Sequence, residues 1–467
     1  MNLWLVIPPR PASSMVPAPD IGIACLGKAV RTAGWDVRLF DAHLRGAEVE
    51  AFLDAAAQAR PDLIGIKCLT PDAPVVERWC AALKKAFPCT GILVGGPHPT
   101  ALPEQVMRWN VDFVVRGEGE EPLARLASAW KRAGGMPGAD VLGAIPGLVF
   151  REPSRSLRCP PPAVLENLDG LGTPAWDLFE LGEYPVAAGG HARSLPVLTS
   201  RGCPGGCSFC AAHLMHGARL RCRSVHSVRQ EIEELRGRFG VAHVGLYDDN
   251  LTASEPHALA MLGLLSDMSG DITFDIPQGV RLDTLTEPVL AALRSSGCRG
   301  VGVGIESGDE DILHLARKGM TPVLMHERLS RLRHHLPQGT VMGFFIIGFP
   351  GETAQEIRRT IRYALGLPLD HVAFTIFTPF PGSRLFDALV ASGNLDRDRT
   401  DWAALVLDRP HAATWTVAPE RLKRFQRFAY LAFYMRPSRW MSMAAVLLRA
   451  GSCSAFLTRL RSILGGG

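Results

Sequence analysis

The chain opens on LWLVI, an unbroken apolar run, followed by IACLGKAVRTAG, whose apolar positions recur at helical spacing until Gly34 supplies a natural stop. The same sequence of patterns then repeats. VRLF, DLIGIKCL, GILVGG and DFVVRGEGE read as strands, and EVEAFLDAAAQA, VVERWCAALKKAF, PEQVMRW and PLARLASAWKRA as the helices between them. Strand alternating with amphipathic helix predicts a doubly wound α/β domain, a parallel sheet with helices on both faces. Ligands of such sheets bind beyond the carboxyl ends of the strands.

A Gly- and Pro-rich passage interrupts the alternation from Gly134 to about Gly190 and includes three successive prolines, Pro160, Pro161 and Pro162. It reads as a linker, with room for a short hairpin around GLVFRE. From Leu195 the alternation resumes through PVLTS, HVGLYDDN, ITFDIPQG, GVGVGIES, TVMGFFIIG and HVAFTIFTPF, each followed by a helical pattern. Six such units are too few for a closed eight-fold barrel and predict a partial (β/α)6 barrel. After Gly393 the pattern turns helical and basic. The expected organisation is therefore a doubly wound domain over 1–135, a linker over 136–190, a barrel over 191–395 and a helical region over 396–467.

Composition narrows the function classes. At 467 residues, 47% hydrophobic and 21% charged, the chain is ordinary globular protein, which argues against large-scale disorder. A net charge of +4 gives no global case for nucleic-acid binding. The first apolar run is too short for a signal-peptide core, and nothing reaches the ~18 apolar residues of a membrane span. The expectation is a cytoplasmic protein. From Pro419 onward, nine Arg or Lys stand against one acid, Glu420. There RLKRFQRFAYLAFYMRPSRW and AFLTRLRSIL mix cations with apolar and aromatic side chains. That mixture suits either a helical pair packed on the barrel or peripheral contact with an anionic membrane.

Eleven cysteines in a reducing compartment do not imply disulfides. Most stand singly in apolar contexts, like Cys25, Cys68 and Cys80, as small buried hydrophobes. Cys203, Cys207 and Cys210 instead lie close together in TSRGCPGGCSFCAAH, directly after a strand. Thiolates are soft ligands for iron–sulfur clusters and for zinc. Three on a four-iron cluster leave one iron open, whereas structural zinc would want a fourth ligand such as His213 or His216. On spacing alone both remain.

The C-x3-C-x2-C spacing, with the aromatic Phe209 before the last cysteine, resembles the signature of the radical S-adenosylmethionine (SAM) superfamily. YDDN (247–250), VGVGIES, GFFIIGFPGET (343–353) and TPFPGS (378–383) follow in that family's order, so the resemblance covers roughly Leu195 to Gly393. It implies a [4Fe–4S] cluster on Cys203, Cys207 and Cys210 whose open iron binds SAM. An external low-potential donor, a flavodoxin or ferredoxin, would supply the electron that releases a 5′-deoxyadenosyl radical. It also implies that Phe209, Asp248, Asp249, Asn250, Glu306 and Thr378 bind SAM, with Glu306 at the ribose and Thr378 near the adenine. Read alone, GxGxE is a plain buried strand and the two aspartates are helix caps.

PDLIGIKCLTPDAP and CTGILVGGPHPT resemble the cobalamin-binding fold, with RGEGE (116–120) as its final loop. The resemblance implies that Leu69, Thr70, Gly95, Gly96, His98, Gly117 and Glu118 bind cobalamin, Gly95 and Gly96 letting the backbone approach the dimethylbenzimidazole. The alternative is a flavodoxin-like domain without cofactor. DAHLRG (41–46) matches D-x-H-x-x-G, whose His ligates cobalt in some cobalamin proteins. Here it follows the second strand rather than the first, so His43 reads as a surface residue and cobalamin is expected base-off with no protein His.

The pairing of the two domains resembles the branch of cobalamin-dependent radical SAM enzymes that includes the anaerobic Mg-protoporphyrin ester cyclase and C-methyltransferases. It implies methyl transfer to an unactivated carbon of a small substrate, for which the basic, aromatic tail suggests an apolar or anionic, lipid- or tetrapyrrole-like molecule. Cyclase-like oxidation of such a substrate is the alternative. A cobalamin-binding sensor with a structural cluster is the non-enzymatic one.

Overall fold

The computed structural model describes residues 1–10, 16–152, 154, 156–185, 194–410 and 416–436. Its first sheet has seven strands: β1 (Asn2–Ile7), β2 (Asp36–Asp41), β3 (Leu63–Lys67), β4 (Gly91–Gly95), β5 (Phe113–Val115), β6 (Leu148–Arg151) and β7 (Leu157–Arg158). They lie in the order β2-β1-β3-β4-β5-β6-β7, parallel from β2 to β5. The two-residue period of β1 decides its packing. Leu3, Leu5 and Ile7 face one core with the helices Ile21–Thr32 and Glu120–Ala133, while Trp4 and Val6 face another with Val49–Ala59 and Ala73–Ala86. This is the expected doubly wound domain.

The described part of the passage expected to be a linker is packed structure. β6 pairs antiparallel with β5, and β7 with β6, so the hairpin extends the first sheet. Beyond it Trp176 is fully buried, the Ala175 amide donates to the Ala24 carbonyl at 3.0 Å, and Leu178 packs beside Gly27. Gly and Pro announce irregular backbone, not an absence of contacts; the buried LVF of β6 carried the stronger signal.

The second sheet holds six parallel strands in the order β15-β14-β13-β12-β11-β8. These are β8 (Ser194–Val197), β11 (His243–Leu246), β12 (Thr273–Arg281), β13 (Cys298–Glu306), β14 (Thr340–Ile347) and β15 (His371–Ile376). Its two ends do not pair, which makes it the expected open (β/α)6 barrel. Ser224, Ser254, Thr321, Thr353 and Ser383 each cap a following helix with a side-chain oxygen. A small antiparallel ribbon, β9 (Ser200–Arg201) with β10 (Arg221–Cys222), flanks the cysteine loop.

After the sixth strand the chain doubles back. The Ile376 amide donates to the Leu407 carbonyl, and the turn Trp402–Ala404 packs on the turn Thr70–Asp72 of the first domain. The helix Pro419–Tyr434 then covers β15, with Gln426 donating to the Phe374 carbonyl at 2.7 Å and the Tyr430 hydroxyl accepting from the Phe374 amide at 3.0 Å. The first part of the basic tail is thus packed on the barrel; AFLTRLRSIL lies outside the described residues. Among the described residues no helix is long and apolar enough to cross a membrane.

Candidate active site between the two sheets

The cysteine loop leaves β9 and is held at every step. Asp248 accepts from the Thr199 hydroxyl at 2.8 Å and from the Ser200 hydroxyl, and Asp249 accepts from the Gly202 amide at 3.0 Å. The Ser208 amide donates to the Ala316 carbonyl and its hydroxyl to that of Leu315. Each cysteine sulfur receives one N–H: Gly205 donates to Cys203 and Ala212 to Cys210, both at 3.4 Å, and Arg281 Nη1 to Cys207 at 3.3 Å. Burial pushes the Cys210 thiol up to about 11 and the Cys203 thiol in the same direction.

Zinc would need its ligand atoms about 3.8 Å apart, given Zn–S bonds of ~2.3 Å in a tetrahedron. Among the described residues these sulfurs and imidazoles nowhere converge three together within 4.8 Å. His216 is engaged elsewhere, its Nδ1 2.9 Å from Glu118 Oε1, and His213 is exposed. Three spread sulfurs, each with a donor, fit a polynuclear cluster better than a single ion.

The other barrel residues expected at SAM divide into two groups. Asn250 is buried with its amide nitrogen unpartnered, while its oxygen accepts from Thr252 and the Arg281 amide. Glu306 ends β13 at φ 66°, a left-handed conformation rare for a residue with a side chain, and pairs with the buried Lys318 at 2.9 Å. Gly304 makes that pair possible, because a Cβ there would stand 2.7 Å from the Glu306 carboxylate. Phe209 stacks edge-on against Phe349, which meets Phe377 in turn. These side chains keep capacity for a ligand. Asp248, fully buried and raised by that burial, and Thr378, whose hydroxyl donates to the Ile376 and Val406 carbonyls, spend their polar atoms on the protein.

In the first domain the three loops beyond β3, β4 and β5 all face the barrel. The first, with Leu69 and Thr70, meets the Trp402 turn. The second runs through Gly95 and Gly96 to His98, whose buried ring lies parallel to Trp109 at 5.8 Å and edge-on to Trp402 at 5.1 Å. The Gln105 side chain is its polar neighbour, and burial lowers the His98 pKa to about 4 against the pull of that contact. The third, with Gly117 and Glu118, is the most heavily charged. Gly117 has φ 74°, and a Cβ there would strike the Ala163 carbonyl at 2.4 Å. Glu118 receives both terminal nitrogens of Arg221 at 2.8 Å, the Leu165 amide and His216, with Arg201 at 3.5 Å. Arg201 also pairs with Glu120 at 2.6 Å. Burial alone would raise the Glu118 carboxyl, but the Arg221 and His216 hydrogen bonds and the Arg201 charge hold it below the usual carboxylate range.

Several of these partners are not legible as site residues in the sequence: Arg201, Arg221, Arg281 and Lys318. Two signals were available. A basic run, ARLRCR, follows the cysteines closely while RGEGE is acidic, and VRLD places a charge at the rim end of an apolar strand. His43, expected at the surface, is half-buried in the short helix Ala42–Arg45 after β2.

Comparison with known proteins places this geometry. The B12 binding domain family model matches residues 12–127, and the Radical SAM superfamily model residues 197–364. An uncharacterised methyltransferase of Pyrococcus horikoshii is 31% identical over 453 residues, 94% of this chain and 93% of its own. The anaerobic magnesium-protoporphyrin IX monomethyl ester cyclase of Synechocystis sp. is 26% identical over 89% of this chain and 83% of its own. In fold, the chain is similar to the radical SAM methyltransferase TsrM of Kitasatospora setae, solved with cobalamin and a [4Fe–4S] cluster bound. The TM-score is 0.66 at 21% identity, covering 88% of this chain and 80% of that one. The two family matches and the full-length relative together leave no room for a cofactor-free flavodoxin or a sensor: the chain belongs to the cobalamin-dependent radical SAM enzymes, a family with methyltransferases among its members.

Proposed function

We propose that the protein methylates an unactivated carbon of a small biosynthetic intermediate, apolar or anionic and lipid- or tetrapyrrole-like in class. The observation that carries this reading is the meeting of the two rims: the loops after β3, β4 and β5 abut the cysteine loop and the C-terminal turn of the barrel. When bound, the cluster supplies the electron that breaks the sulfonium bond of SAM, and cobalamin carries the methyl group.

The chain's own part is to hold and orient. Cys203, Cys207 and Cys210 hold the cluster, and Asn250, Glu306 and the Phe209 ring offer SAM an amide, a carboxylate and an apolar wall. Gly95 leaves backbone open beside His98 for the cobalamin tail, since a Cβ there would meet nothing nearer than 3.8 Å. Holding both donors between two sheets locked by Glu118 and Arg221 converts an encounter into a fixed geometry. The electron comes from an external flavodoxin or ferredoxin.

The test uses anaerobically reconstituted protein with cobalamin, SAM and a low-potential reductant. S-adenosylhomocysteine and 5′-deoxyadenosine should both form. 5′-Deoxyadenosine alone would hand the reaction to the cyclase-like oxidation. The reading takes cobalamin base-off with no protein His, since the D-x-H-x-x-G match at 41–46 follows the second strand rather than the first. Nitrogen superhyperfine splitting in the Co(II) EPR spectrum would contradict that. The outer face of the helix Pro419–Tyr434, with Phe428, Leu431 and Met435 exposed among Arg421, Arg424 and Arg427, supports peripheral contact with anionic membranes. Equal flotation of full-length and tail-deleted protein with anionic liposomes would remove that contact.

A further inference from the structure

Arg281 closes β12 at the rim of the barrel, where the neighbouring strands end in apolar or ligand-facing residues. Its side chain is mostly buried and fixed at every nitrogen. Nε and Nη2 fork onto the Asp283 carboxylate at 3.0 and 2.6 Å, and Nη2 also donates to the Lys318 carbonyl at 2.7 Å. The remaining nitrogen, Nη1, is thereby aimed at Cys207 Sγ, 3.3 Å away. The side chain runs beside Cys203 as well: a Cβ built on Gly205 would lie 3.2 Å from the Cys203 sulfur and 3.4 Å from Arg281 Cδ. Among the described residues Cys203 and Cys210 receive only neutral backbone N–H groups. Cys207 is the sulfur that receives a fixed cation.

A four-iron cluster on three thiolates is an anion, and reducing it adds a further negative charge. A guanidinium held against one sulfur stabilises the reduced form more than the oxidised form. Hydrogen bonds to the sulfurs act in the same direction. The Asp283 carboxylate tempers the charge but also prevents the guanidinium from swinging into solvent, so direction and distance are built in. Lys318 does not share the task, because its ammonium is committed to Glu306.

We propose that Arg281 is a positioning residue that raises the reduction potential of the cluster through its N–H···S bond to Cys207. It would thereby bring the one-electron step within reach of an external low-potential protein donor. The inference rests on the assignment of the cluster to Cys203, Cys207 and Cys210, and iron content separates the two ideas. Wild-type protein that takes up no iron on reconstitution would sink the cluster assignment itself.

The experiment is an EPR-monitored redox titration of the full-length, cluster-loaded protein in the absence of SAM, so that no turnover is read. Wild type is compared with Arg281→Gln, which keeps an N–H donor without the charge, and Arg281→Lys, which keeps the charge without the fork. The expected result is a midpoint moved to more negative potential in Arg281→Gln, with Arg281→Lys between it and wild type, all at equal iron content. A Gln variant that holds its full iron and titrates with wild type overturns the proposal. So does a Gln variant that loses its iron, because Arg281 would then be scaffold rather than tuning residue.

Discussion

Both parallel sheets end in a rim of polar and glycine residues, but the two rims use them differently. On the barrel rim the cysteine sulfurs, the Asn250 amide and one side of the Glu306–Lys318 pair keep capacity for something outside the protein. On the first domain's rim, Glu118 is consumed by Arg221, Arg201 and His216, Gly117 fits against Ala163, and Gly96 fits against Cys68. Residues of the same kind, at the same place in the same class of sheet, therefore keep polar atoms free on one side and spend them on the protein on the other. The Glu118 cluster on the first rim holds the two domains together.

The largest expected effect breaks the barrel rim alone. Replacing Cys203, Cys207 or Cys210 by Ala should abolish iron uptake and 5′-deoxyadenosine formation, because three thiolates leave no spare ligand. Cobalamin retention after desalting should persist if the rims act separately. A parallel loss of cobalamin would show that the cluster loop is part of the cobalamin seat, and the contrast between the rims would fail.

Next is the lock between them. Glu118→Ala would leave Arg221 and Arg201 buried beside an empty site, a defect worth about 3–5 kcal/mol. Because the Glu118 pKa is lowered on folding, its contribution is present above the unfolded value of 4.5 and is lost as pH falls below it. Denaturant titrations should show the gap between wild type and variant at neutral pH and see it close in acid. A gap that persists unchanged at low pH would mean that shape rather than charge is lost.

Asp72 sits on the same rim and has the opposite sign. Burial raises it from 3.8 to about 6 against the pull of Arg10 and the Leu69 amide. A raised carboxyl contributes stability that is full below 3.8 and is lost as pH rises to about 6, about 3 kcal/mol in all. Asp72→Asn should flatten stability across that interval, as read from denaturation midpoints. A variant whose midpoint still falls between pH 4 and 6 would place the titration elsewhere.

Much of this was legible in the sequence, for a physical reason. Strand and helix periods are local, so the doubly wound domain and the six-stranded barrel follow from runs such as DLIGIKCL and TVMGFFIIG. The cysteine spacing is local too. What local patterns cannot carry is the direction in which a polar residue turns. Asp248 lies in a motif expected at SAM but points back into Thr199 and Ser200. Glu118, in a loop expected at cobalamin, meets arginines about a hundred positions away along the chain. The Trp402 turn, far beyond the barrel strands, closes over His98. Each depends on a long-range meeting that leaves no periodic trace.

The smallest expected effects come from the adjacent glycines of the first domain, which the sequence treats alike. Gly96 has φ 117°, and a Cβ there would stand 2.7 Å from the Cys68 carbonyl, so its reason lies inside the protein. Gly96→Ala should cost about 1–3 kcal/mol of stability whether or not cobalamin is present. Gly95 has ordinary strand backbone, and its Cβ would meet Val115 at 3.8 Å, a comfortable contact. Gly95→Ala should therefore fold with nearly unchanged stability. If the open backbone at Gly95 receives the cofactor, the added methyl should weaken cobalamin retention by roughly tenfold, about 1.4 kcal/mol. The two variants, compared by thermal denaturation of the apo protein and by cobalamin binding, separate a glycine kept for the fold from one kept for the ligand. Equal cobalamin affinity in Gly95→Ala and wild type would move Gly95 into the first class.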